Sequence, residues 1–157
     1  MTQHSQAPVP GTDFEADAGI ANLLALYAAE DLPTVFSCQG SPQWHGYLHF
    51  ASLGDLPRFV EFTEDLLLES GERDLLLALR RLSERDAQIS DTWRIETTFN
   101  PYLAGLEAVR RENVLGRPLA DIELDVAART GWAFILRAPG TDLAVLDELA
   151  AARLRHG

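Results

Sequence analysis

Hydrophobic positions along the chain change their period several times, and each change marks an element. Ile20, Leu23, Leu24 and Tyr27 recur at helical spacing, predicting an amphipathic helix over residues 13–29 that Asp31 and Pro33 terminate. Residues 34–38 (Thr-Val-Phe-Ser-Cys) are β-branched and aromatic and read as a strand. Residues 39–43 contain Gly40 and Pro42 and read as a loop, after which residues 47–51 alternate again. Leu48 and Phe50 fall on one face of this return strand, and Tyr47 and His49 on the other. So short a connection predicts an antiparallel hairpin.

Helical periodicity then resumes. Ser52 offers an N-cap and Asp55 completes a box-like start. Leu56, Phe59, Val60, Thr63, Leu66 and Leu67 line one side, Gly71 interrupts, and Leu75, Leu76, Leu79 and Leu82 continue as the second arm of a bent helical pair. Residues 92–99 show the strictest two-residue alternation, with Trp93, Ile95, Thr97 and Phe99 opposed to Thr92, Arg94, Glu96 and Thr98. Asn100-Pro101 opens a helix carrying Leu103, Leu106 and Val109, and Leu119, Ile122 and Val126 predict a shorter one. Residues 132–137 form an apolar strand, Pro139-Gly140 turns the chain, and Thr141 or Asp142 caps a last helix reaching about Leu154. The order α-β-β-α-α-β-α-α-β-α predicts an α+β fold, a mostly antiparallel four-stranded sheet covered by helices mainly on one side. Residues 1–12, polar with Pro8, Pro10 and Gly11, read as a flexible tail before a single globular domain over 13–157.

Composition narrows the function classes. The 157 residues carry a formal charge of −11, and all thirteen basic residues are arginine, which points to a GC-rich bacterial genome. Residues 1–75 hold twelve acids against Arg58 and Arg73, whereas the remainder is nearly balanced. An acidic surface repels phosphate backbones, so direct nucleic-acid binding is not expected. The acidic half reads either as a solvated surface or as an acidic mimic of nucleic acid that docks on a basic partner. No apolar run approaches the roughly 20 residues that span a bilayer, and the N-terminal segment lacks the basic start and apolar centre of a secretory signal. With one cysteine the expected compartment is the reducing cytoplasm.

The predicted hairpin gathers the chemically capable side chains. Cys38, His45 and His49 have the spacing C-x6-H-x3-H, and strand alternation puts both histidines on one face. Zinc binds such residues when they converge, although a structural site normally takes a fourth ligand. Cys38 is also a candidate nucleophile, with the backbone of Cys38-Gln39-Gly40 and a nearby imidazole to lower its pKa; the alternative is a small packed side chain. Gly40 is expected at positive φ, turning the chain sharply. Trp44 and Tyr47 would line a shallow pocket. Arg94 with Glu96, Tyr47 and His49 would give the sheet a polar face suited to a small anion or a peptide. The chain has no G-x-x-x-x-G-K-[ST], G-x-G-x-x-G, H-E-x-x-H or G-x-S-x-G.

The run Thr34 to Gly40, followed by Gly46-Tyr47-Leu48-His49-Phe50, resembles a T-x-x-S-C-x-G strand-turn of small uncharacterised bacterial and phage proteins. It is more distantly similar to the Ser-x-Cys-x-Gly strand-turn of the methyltransferase-like wybutosine-synthesis family. The latter implies action on tRNA and continues with a basic residue where this chain has Ser41. Each resemblance covers about twenty to forty residues. The leading expectation is an accessory or protein-binding domain without catalysis of its own, with a protein partner or a second copy of itself. The alternative is a small enzyme or ligand- or metal-binding domain centred on Cys38, His45 and His49.

Overall fold

The computed structural model describes residues 4–82, 93–99 and 132–156. The expected α+β architecture is present. Four strands, β3 (Thr34–Cys38), β4 (His45–Phe50), β5 (Arg94–Phe99) and β6 (Trp132–Pro139), form one antiparallel sheet in the order β3-β4-β6-β5. Helices α1 (Ala21–Ala29), α2 (Leu56–Ser70), α3 (Arg73–Arg81) and α4 (Gly140–His156) complete the described elements, with a small sheet of β1 (Gln6–Pro8) and β2 (Glu15–Asp17). The helices expected over 100–131 lie outside the described residues.

Period-two alternation decides what each strand buries. Leu48 and Phe50 of β4 and Phe134, Leu136 and Ala138 of β6 point to the helices and are fully buried. Phe50 and Phe134 are register partners, their rings stacked at 4.7 Å. Tyr27 of α1 and Phe59 of α2 close around them, each within 5.7 Å of a neighbouring ring. The Tyr27 hydroxyl meets the Thr63 hydroxyl at 2.8 Å, so the most polar atom in this aromatic cluster has a partner.

The N-terminal region departs from expectation. Residues 6–8 are not a loose tail but pair with β2 in the register Gln6↔Asp17, Ala7↔Ala16 and Pro8↔Glu15. Of the prolines and glycine that suggest a tail, Pro8 closes β1 while Pro10 and Gly11 belong to the turn of this hairpin. Gly11 sits at φ 78°, Thr12 Oγ1 donates to Val9 O at 2.7 Å, and Val9 is buried. The first helix accordingly starts at Ala21, after β2 and a short 3-10 turn, rather than near residue 13. It is also buried on nearly all sides, including Ala25 and Leu26, because the N-terminal hairpin, α2 and α4 surround it.

Other boundaries follow local chemistry. Ser52 Oγ accepts from Gly54 N at 3.2 Å, and the chain passes through a 3-10 turn into α2. Gly71, at φ 70°, ends α2 in the left-handed conformation and lets α3 fold back against it, the expected bent pair. Trp93, fully buried at the entry to β5, donates its indole N–H to Asp142 in the first turn of α4 at 2.9 Å.

Candidate functional site: the hairpin and the outer sheet face

Three glycines shape the β3–β4 hairpin. Gly40 has φ 68°, as its sequence context predicts, and a Cβ there would lie 2.5 Å from the amide nitrogen of Gly46. A Cβ on Gly46 would in turn lie 2.5 Å from Leu143 of α4. Gly140 at the start of α4 lies against Ser41 and donates to Trp44 O at 3.3 Å. Ser41 and Trp44 exchange backbone hydrogen bonds of 3.2 Å around Pro42-Gln43. The tip is thus folded over tightly and packed on the β6–α4 junction, and the Trp44 side chain is left 71% exposed.

On the sheet face away from the described helices, register brings residues from all four strands into rows. One row is Cys38, Tyr47, Arg137 and Arg94; the next is Phe36, His49, Ile135 and Glu96. The polar face expected from Tyr47, His49, Arg94 and Glu96 therefore exists, but β6 lies between β4 and β5 and inserts Arg137 at its centre. Arg137 Nε donates to Glu96 Oε1 at 2.9 Å, and Arg94 Nη2 lies 3.8 Å from the same oxygen. The Arg137 guanidinium carbon stands 5.6 Å from the centre of the Tyr47 ring, within cation–π range. Two arginines thus share one carboxylate. All three side chains are partly exposed, so each ion pair contributes at most about 1 kcal/mol to stability. Sequence reading missed Arg137 because it lies in an otherwise apolar strand; the available signal was its parity with Ile135.

His45 and His49 share the outer face, as alternation requires, with Tyr47 between them. Four residues of extended strand separate them by about 13 Å, however, and the Nε2 atom of each is buried without a hydrogen-bond partner. His49 packs edge-on against Phe36, ring centres 5.7 Å apart, and burial pushes its pKa below the ordinary 6.5. Among the described residues, the ligand atoms that converge with the Cys38 sulfur are those of His4 and Asp17, all within 4.8 Å of one another.

Gln39 has a structural task. Its Oε1 accepts from Gly19 N at 2.8 Å, and its own backbone N donates to Asp17 Oδ2 at 3.0 Å. It stitches the start of the hairpin to the segment entering α1. Beside this stitch, β2 and β3 face each other without pairing, across a cleft of about 280 Å³ whose walls include Phe14, Ala16, Val35 and Phe36. Phe36 is 53% exposed. No helix among the described residues is long and apolar enough to cross a membrane.

Comparison with protein-family models, with curated proteins and with solved structures gives no match.

Proposed function

We propose that this chain is a protein-binding module, without catalysis of its own, that engages its partner through the outward side of the β3–β4 hairpin and the adjoining sheet face. The observation that carries this reading is the exposure of Phe36 and Trp44 on one hairpin, while the other aromatic side chains among the described residues are buried or half-buried. Exposed aromatics of this kind are the usual anchors of an interface, and a neighbouring arginine adds directional polar contact. Arg94 and Arg137 share Glu96, so these three side chains carry one positive charge in excess within a chain of net charge −11. The partner that fits is a segment placing an apolar side chain on Phe36 or Trp44 and a carboxylate on the two guanidiniums.

Selection from a displayed random-peptide library with the purified chain tests this reading. Enriched peptides are expected to pair an acidic residue with an apolar one. Phe36→Ser and Trp44→Ser should each weaken their binding about tenfold or more, and Arg137→Glu should shift selection toward basic peptides. Leu68→Ser and Leu77→Ser, on exposed positions of α2 and α3, should change nothing. Selection that enriches no peptide, or whose peptides bind the Phe36 and Trp44 variants equally well, overturns the reading. Concentration-dependent sedimentation lost on Phe36→Ser would instead make the occupant a second copy of the chain.

A further inference from the structure

We propose that His4, Asp17 and Cys38 form a site for a divalent transition-metal ion, with zinc the best match, that clamps the N-terminal hairpin to the edge of the main sheet. A thiolate, an imidazole and a carboxylate together suit zinc among the abundant divalent ions; magnesium and calcium favour all-oxygen shells. Around a tetrahedral zinc, ligand atoms stand about 3.4–3.6 Å apart, given bonds of about 2.0–2.3 Å. The three ligand atoms here already lie within 4.8 Å of one another, so closing on an ion needs shifts of about 1 Å.

The Asp17 carboxylate is held for this task from outside the trio. Gln6 Nε2 donates to Oδ1 at 2.6 Å and Gln39 N donates to Oδ2 at 3.0 Å. Each oxygen keeps a lone pair, and such bonds orient ligating carboxylates in metal sites. The placement of the ligands in the fold supplies a reason for the site. His4 precedes β1, Asp17 ends β2 and Cys38 ends β3, yet β2 and β3 belong to different sheets. An ion held by all three would cross-link the hairpin to the edge strand β3, where no strand ladder joins them. The thiol proton leaves to solvent as the Cys38–metal bond forms, and His4 binds as the neutral imidazole. Cys38 lies on the same strand as Phe36, two residues away, but the metal site needs no partner protein, and its readout is separate from peptide binding.

Cobalt(II) titration of the full, reduced chain is the test. One equivalent should produce a thiolate-to-cobalt charge-transfer absorption that zinc(II) then displaces. Cys38→Ala should abolish the band. His4→Ala and Asp17→Asn should weaken cobalt affinity at least about tenfold, Gln6→Ala about tenfold, and His45→Ala not at all. Saturating zinc should raise the unfolding midpoint of the wild type but not of Cys38→Ala. Absence of the band at stoichiometric cobalt overturns the proposal, as does a band of equal affinity in His4→Ala and Asp17→Asn, which would mark a solitary thiolate. If Asp17→Asn does not fold, His4→Ala, at the chain's periphery, decides alone.

Discussion

Asp147 of α4 accepts a hydrogen bond from the backbone nitrogen of Leu23 at 2.8 Å, across 124 positions of sequence. Helix α1 begins after Ile20, a residue with no side-chain acceptor, so the orphan amides of its first turn take their partner from another helix. The same carboxylate accepts from Asn22 Nδ2 at 3.3 Å. Removing it with Asp147→Ala should cost about 1–2 kcal/mol in urea unfolding, the magnitude of a lost N-cap.

The same residue carries a pH signature. Burial raises the Asp147 pKa above its ordinary 3.8, outweighing the hydrogen bonds from Leu23 and Asn22 that pull it down. A folded-state pKa above the unfolded one means stability that is fully present below the unfolded value and lost as pH rises through the folded value. Relative to Asp147→Asn, the wild type should therefore gain stability as pH falls from neutrality toward 4. Paired melts of the two proteins across that range check the sign.

Two glycines with the same backbone angle should respond differently to alanine. Gly40 and Gly71 have φ 68° and 70°, so either substitution incurs the left-handed penalty of about 1–2 kcal/mol. At Gly71 nothing lies within 4 Å of the added carbon, whereas at Gly40 it meets the backbone of Gly46 and Trp44 at 2.5 and 2.8 Å. Gly40→Ala should thus destabilise clearly more than Gly71→Ala. Equal midpoints in guanidinium would contradict the packed hairpin tip.

Phe134 and Phe36 report on the two faces of one sheet. Phe134 is fully buried among Phe50 and Phe59, and truncation to alanine should cost about 3–5 kcal/mol. Phe36 lies on the outer face and is half exposed, so Phe36→Ala should stay within about 1 kcal/mol. A large loss at Phe36 would make it a packing residue and remove the anchor from the proposed interface.

His49 should titrate low. Its imidazole is buried and Nε2 has no partner, which disfavours the charged form. Because its folded pKa lies below the ordinary 6.5, stability is present above that value and declines as pH falls through it. His49→Leu should flatten this part of the stability profile, and an NMR titration of the His49 ring should give a midpoint below 6.5.

The hairpin, its positive-φ glycine, the bent pair α2–α3 and the inward pair Leu48 and Phe50 of β4 were legible because each depends on neighbours within a few positions, whereas Thr97, expected on the buried face of β5, is exposed. The first helix was less so. Its start depends on β1 and β2 pairing across a proline-glycine turn, and its cap is Asp147, neither marked by any local period. On the outer face, alternation placed Tyr47, His49, Arg94 and Glu96 correctly by side but could not say that β6 separates β4 from β5.

By itself the sequence determined which side of β4 carries Leu48 and Phe50 and where the chain turns sharply, because side-chain parity and backbone sterics act over one or two residues. Only the tertiary structure decided what those side chains meet. Strand order put Arg137 between Tyr47 and Glu96, and the docking of the N-terminal hairpin put Cys38 beside His4 and Asp17. Those partners lie far apart in sequence. What brings them together is the burial of β1, β2 and α1 as a unit, a cooperative energy that no local pattern contains.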